Sequence, residues 1–211
     1  MSLLFSAVDH GFLAPFLRRT GDLYSAIDKA YADAALHYGF ACRGCVRNCC
    51  EERFYHYTLT EYLFLRSGAA LLEREEKSAL FRRAEEVARM YRLHDALQQQ
   101  ERVMCPLNQD GFCVLYAYRP MICRLQGIPH SVKKAGHPTR RGPGCHVFDE
   151  RIRTDNIADF DFDHTPFYLE MAGIETEIRN GLRYKDRFKK TVADMLLDMD
   201  AADSRGHQQG F

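Results

Sequence analysis

All eight cysteines of this 211-residue chain lie between positions 42 and 145, and their spacing is where chemistry is most legible. The first group is Cys42-Arg-Gly-Cys45-Val-Arg-Asn-Cys49-Cys50, a C-x2-C-x3-C-C run. Two thiolates three residues apart converge on one ion when a tight turn aims both sulfurs inward, which is why C-x2-C recurs in zinc and iron–sulfur sites. Cys49 and Cys50 are adjacent, and adjacent side chains in extended backbone point to opposite faces. Either the chain turns sharply there, or the two residues serve different sites.

The second group, Cys105-Pro-Leu-Asn-Gln-Asp-Gly-Phe-Cys113, reads as a β-hairpin with turn formers Asn108, Asp110 and Gly111 between apolar flanks. A loop centred on Gln109 sets Cys105 opposite Cys113, with Cβ atoms about 4.5–5.5 Å apart. That arrangement suits a shared metal and equally a cross-strand disulfide. Pro106 cannot donate to a ladder, so the strand belongs at an edge. Next comes Val-Leu-Tyr-Ala-Tyr-Arg119-Pro120-Met-Ile-Cys123-Arg124. Pro120 at the first position of a helix places Cys123 in the first turn, where unpaired amides and the dipole favour a thiolate. Arg119 and Arg124 flank this cysteine, as Arg43, Arg47 and Arg53 flank the first group. Four thiolates on a divalent ion or an oxidised four-iron cluster leave a charge of about −2, which nearby arginines offset. Arg119 and Arg124 are therefore candidates for contact with a bound cofactor. Cys145 follows Gly-Pro-Gly and precedes His146, an alternative ligand.

Taken in order, C-x2-C-x3-C-C, then C-P-L, then C-x-L-Y-x-x-R-P-x-x-C-R and a later lone cysteine resemble the YkgJ-type cysteine-cluster family, described as zinc- or iron-chelating proteins. The similarity covers about residues 42 to 146, and Tyr116, Arg119, Pro120, Cys123 and Arg124 are its most specific part. The resemblance implies a ligand set of Cys42, Cys45, Cys49, Cys50, Cys105, Cys113, Cys123 and Cys145. The family commonly has C-x2-C-x2-C-C, so one extra residue stands here before Cys49, and Ala117 occupies a position where the family often has an acid. The flagellin lysine methylase group is similar in its cysteine pattern, which implies a protein-modifying activity, although this chain shows no glycine-rich cofactor loop.

The metal is argued from spacing. Paired zinc knuckles need two C-x2-C steps, often with a glycine after the second cysteine; here there is one such step, and Val46 takes the glycine's place. Thiols drawn unevenly from four segments, with a Cys-Pro step at Cys105, fit an iron–sulfur cluster better, with zinc or mononuclear iron as the alternative. The C-x3-C-x2-C order of radical-SAM proteins is absent.

The elements that must position these thiols are mostly helical. Leu23, Ile27, Ala30, Tyr31 and Ala34 recur at helical spacing between Thr20 and Tyr38, with Thr20 or Asp22 as the cap and Gly39 as the stop. Residues 54 to 59 suggest a short strand, followed by a helix opened by Thr58 or Thr60 and stopped by Gly68. A long helix is predicted over 71 to 102, with Leu80, Ala84, Val87 and Tyr91 inward, and Phe54, Tyr55, Tyr57 and Phe64 are expected to pack over the metal core. Residues 131 to 144 read as an exposed basic loop. Two further helices are predicted over 166–180 and 186–199, with a frayed tail beyond 200. The expected fold is mainly α with a short β-hairpin and an irregular, metal-organised core. Its cysteine-cluster domain spans 1–150, and a helical extension at 151–211 packs on the same domain.

Composition narrows the function class. Hydrophobic residues make up 46% and charged residues 27%, and 29 basic side chains balance 29 acidic ones, so neither disorder nor a global pull toward nucleic acid is expected. Beyond position 153, twelve acids face seven bases. No run is long enough to span a membrane, and the N-terminal stretch has no basic region or cleavage site of a signal peptide. These features point to a cytoplasmic chain with reduced thiols, where clustered cysteines serve metals or catalysis more often than bridges. Asp159, Asp161, Asp163 and Glu170 mimic a calcium loop, but His164 replaces its glycine and Pro166 interrupts it. His37, His56 and His94 read as ordinary surface or core histidines. The sequence therefore reads as a metalloprotein with a redox or protein-modifying role and a redox or protein partner, the alternative being a structural zinc-binding interaction module.

Overall fold

The first helix owes its length to an apolar stripe that extends back beyond the expected cap. In the computed structural model, which describes residues 10–42, 49–99, 102–152 and 158–208, helix α1 spans His10–His37. Leu13 is buried, and Phe16 and Leu17 pack against the same core. Thr20 is therefore interior, and its hydroxyl turns back to the Phe16 carbonyl at 2.8 Å instead of capping. Gly39 ends the helix at φ +59°, and the Phe40 N–H returns to the Ala35 carbonyl at 2.8 Å.

Residues 54–58 do not form a strand; they make one antiparallel bridge, between His56 and Lys190. Helix α2, Leu59–Ala69, is capped by Thr58, whose hydroxyl accepts the Glu61 N–H at 3.2 Å. Its remaining N-terminal donors go to a distant acid. The Glu175 carboxylate accepts the Leu59 and Thr60 N–H groups at 3.0 and 2.9 Å, and the Thr60 hydroxyl at 2.8 Å. Gly68 does not stop α2. It lies beneath Tyr118, where a Cβ would stand 2.2 Å from the ring.

Helix α3, Arg74–Ala96, opens with Glu76 accepting the Glu73 N–H, and buries Leu80, Ala84, Val87 and Tyr91 as the periodicity predicts. Strands β1, Asn108–Gln109, and β2, Phe112–Cys113, make a small antiparallel pair, and helix α4 covers Met121–Leu125. The expected basic loop is a second hairpin, pairing β3, His130–Val132, with β4, Arg140–Gly142. Its Lys133 ammonium is held by Asp161 at 2.6 Å and Asp163 at 3.2 Å, which accounts for two acids of the apparent calcium loop.

Helix α5, His146–Ile152, is followed by α6, Thr165–Leu182, with Pro166 in its first turn, and by α7, Val192–Gln208. The last starts later than the pattern predicts, because Thr191 and Asp194 cap each other's backbone N–H groups at 2.9 and 3.2 Å, and it continues past the expected end at 199. The fold is mainly helical, with two short antiparallel strand pairs. One apolar cluster crosses position 150, joining Ile27, Leu59, Leu65 and Leu80 to Ile174, Met195 and Leu196. Cys105, Cys113 and Cys145 lie along its edge. Among the described residues no helix is long and apolar enough to cross a membrane.

Candidate metal centre

Backbone hydrogen bonds bring the first two cysteine groups together. Cys49–Glu51 form a 3-10 turn, and the Cys105 N–H donates to the Cys50 carbonyl at 2.7 Å. The hairpin turns on Asp110 and Gly111, both left-handed at φ +53° and +88°. A two-residue turn with two positive φ values matches the twist of paired strands, so the loop centre shifts from Gln109 to the Asp-Gly step. Cys113 consequently pairs with Asn108, not Cys105. Cys105 lies before the strand, its carbonyl accepting the Asn108 N–H at 2.9 Å.

The 3-10 turn answers the question of the adjacent cysteines, because the sharp bend brings both sulfurs into one hydrogen bond. That bond raises the Cys49 thiol, which burial and the charges of Cys50, Cys123 and Cys42 push further. It lowers Cys50, against burial, with help from the Asn108 amide. Burial pushes Cys105 up to about 12, with Cys50 and Cys113 adding to the rise. Cys113 is raised by burial and by Cys50.

Cys123 sits in the first turn of α4 as expected, with Pro120 one position earlier, at the cap. Its thiol nevertheless moves opposite to the helix-dipole expectation. Burial, then Cys105, Cys113 and Cys50, push it well above the ordinary range. A five-residue helix offers too little field to offset lost hydration and three neighbouring thiols.

The arginines are engaged elsewhere. Arg119 and Arg124 both grip Asp28 on α1, at 2.9 and 2.5 Å, and Arg124 also donates to the Ala117 and Arg119 carbonyls. Arg124 lies over the Tyr24 ring, and Arg119 over Tyr116. They still bear on the thiols at longer range, each drawing Cys113 down slightly. Arg53 is paired with Asp95 at 2.6 and 3.0 Å and stacked on Tyr91, so it does not dress the first group. Phe64 packs between Tyr24 and Tyr118, while Tyr57 is exposed.

The remaining thiols gather around Tyr31. Cys42, which is exposed, Cys145 and Cys49 all raise the Tyr31 hydroxyl, after the larger effect of its burial. Gly127 makes this approach feasible. At φ +123° it has no side chain to strike the Tyr31 hydroxyl, which a Cβ would meet at 2.9 Å. The Gly127 carbonyl also accepts the Cys145 N–H at 3.0 Å, and the Cys145 sulfur accepts the Phe148 N–H at 3.4 Å. His146 is exposed. Cys45, Arg43 and Arg47 lie outside the described residues.

None of the seven described cysteines is in a disulfide. Several of them bear on one another's charge, yet among the described residues no three His, Cys, Asp or Glu side chains form a preset ligand group. No family model, curated protein or solved structure matches the chain. The site must therefore be read from its own residues. A donor set of thiols is suited to zinc or iron–sulfur and poorly suited to hard cations such as calcium. Asp28 and Tyr31 carry no sequence signal of involvement, Tyr31 reading simply as a core position of its helix. Only the fold brings them to the arginines and the thiols.

Proposed function

We propose that this chain is a cytoplasmic cysteine-cluster metalloprotein of the YkgJ type, holding an iron–sulfur cluster and acting in a redox or protein-modifying role with a redox or protein partner. The observation that supports this reading is the set of seven free thiols drawn from four separate segments, of which Cys105, Cys113 and Cys145 pack at the edge of the core. Shielded thiols that raise one another's pKa are mutually unfavourable as anions. A cation replacing their protons turns that repulsion into shared attraction. Cys42, Cys49, Cys50, Cys105, Cys113, Cys123 and Cys145 would hold the metal, and Arg119 and Arg124, although paired with Asp28, would moderate its negative charge only at longer range. Bound iron–sulfur would supply one-electron chemistry at a potential set by charge, hydrogen bonds and solvent access.

Anaerobic purification followed by metal analysis, acid-labile sulfide assay and a visible absorption spectrum tests the reading. Iron with matching sulfide and a brown chromophore is expected. Colourless protein carrying zinc and no labile sulfide would overturn the iron–sulfur reading in favour of a structural zinc-binding interaction module.

A further inference from the structure

Beyond position 153 acids outnumber bases, yet five of the seven bases there fall within eight residues, Arg183-Tyr-Lys-Asp-Arg-Phe-Lys-Lys190, with Asp186 the one acid among them. The neutral charge of the whole chain conceals this local excess, which lies in the connection between α6 and α7. Its aromatic residues are the anchors. Tyr184 and Phe188 are buried, Phe188 against Tyr62, while Arg183, Lys185, Arg187 and Lys189 are exposed. The backbone is held as well. The Arg179 guanidinium donates to the Asp186 carbonyl at 2.8 Å, and Lys190 exchanges two backbone hydrogen bonds with His56, at 2.8 and 3.0 Å.

Elsewhere, exposed cations such as Lys133 and Arg19 are matched by carboxylates, those of Asp161 and Asp163 and of Glu170 and Glu177. In this run only Lys190 has such a partner, Asp198 at 2.9 Å. Among the described residues Arg183, Lys185, Arg187 and Lys189 are in no ion pair. An open aromatic side chain stands beside them. The antiparallel bridge of His56 with Lys190 sets Tyr57 opposite Lys189, and Tyr57 is 56% exposed. The neighbouring Tyr55 ring is already used, with the Lys189 ammonium 4.2 Å and the Arg53 guanidinium 5.3 Å from its centroid.

We propose that Arg183, Lys185, Arg187 and Lys189, together with Tyr57, form a binding surface for single-stranded nucleic acid, the cations meeting phosphates and Tyr57 stacking on a base. The chemistry discriminates among anionic partners. A protein interface gathers apolar and aromatic residues at its core and is poor in lysine, whereas here the apolar side chains are spent on anchoring and the outward surface is cationic. Nucleic-acid interfaces are by contrast strongly positive. An exposed tyrosine among the cations favours single strands, whose unpaired bases offer a free face for stacking. This surface is independent of the thiols and of any metal they hold.

Fluorescence anisotropy of the full chain with labelled oligo(dT) and oligo(U) tests this. Binding to either strand at low salt is expected, with a slope of log affinity against log salt of about −3 from four phosphate contacts. The double variant Lys185→Gln/Arg187→Gln should weaken binding about tenfold and roughly halve that slope. Tyr57→Ala should also cost about tenfold, and Tyr57→Phe, which keeps the ring, should restore it. Lys134→Gln/Arg140→Gln removes the same charge from the β3–β4 hairpin and should leave the affinity unchanged. All these side chains are exposed, and circular dichroism checks that each variant keeps the wild-type fold. No binding at low salt, or an equal loss in the hairpin variant, would overturn the proposal. Displacement of the strand by an oligo-glutamate of equal charge at equal concentration would overturn it in favour of an acidic protein partner. Tighter binding of duplex, or no effect of Tyr57→Ala, would overturn the assignment to single strands.

Discussion

The helical scaffold and the thiol-bearing loops both remove polar groups from water, but they neutralise them differently. In the scaffold each buried charge meets a protein partner: Glu175 has two backbone N–H groups, the Thr60 hydroxyl and Arg179, and Arg124 has Asp28 and two carbonyls. Among the loops the shielded groups are thiols: burial raises Cys105, Cys113 and Cys123 and neighbouring thiols add to the rise, opposed at Cys105 and Cys113 by backbone hydrogen bonds from Leu107 and Leu115. The arginines expected to neutralise them are directed to Asp28 and Asp95 instead. The scaffold is electrostatically complete by itself, whereas the loops are stable only with their protons or with a cation that replaces them.

The largest test of this contrast lies on the scaffold side. Glu175→Ala removes the acceptor of two buried N–H groups and leaves Arg179 without its carboxylate, so a loss of about 3–5 kcal/mol is expected in urea unfolding. Cys→Ala at a hairpin thiol of the metal-free chain should cost much less, because no buried charge is orphaned. Equal losses at the two places would erase the distinction.

His164 belongs to neither class and sharpens the comparison. It is almost fully buried, neither ring nitrogen has a hydrogen-bond partner, and it stacks on His130 with centroids 4.1 Å apart. Burial, then His130, lowers its pKa to about 4. Because the folded value lies below the unfolded one, its contribution is fully present above about pH 6.5. It is lost as pH falls to about 4, a total of about 3 kcal/mol. His164→Phe should keep an aromatic ring against His130 and flatten that part of the stability–pH curve. An unchanged slope would show that another group carries it.

The sequence shows the scaffold more fully than the site, for a physical reason. The apolar positions of α3 and the Pro166 start of α6 are local signals, written within a few residues of where they act. The hairpin was legible as a turn, but its register depended on which residues tolerate positive φ, and Asp110-Gly111 decided it against Gln109. The β3–β4 pair was not legible, because its support comes from Asp161 and Asp163, some thirty residues further on. The same holds for Asp28 with its two arginines and for Tyr31 among the thiols. Ligand types are a property of spacing, whereas the partners that hold them are a property of the fold.

The smallest effect concerns the seam between the two regions. The Thr58 hydroxyl accepts the Glu61 N–H and donates to the Glu61 carboxylate at 2.7 Å, and that carboxylate accepts the Met121 N–H at 3.0 Å, at the start of the helix carrying Cys123. Thr58→Ala should cost about 1 kcal/mol as a lost cap. Thr58→Ser, which retains the hydroxyl, should recover most of it in the same unfolding measurement. If the scaffold is complete on its own, the loss should be the same with and without bound metal. A loss that shrinks when the thiols are loaded would show instead that Glu61 transmits the state of Cys123 to α2, and the two regions would then be one cooperative unit.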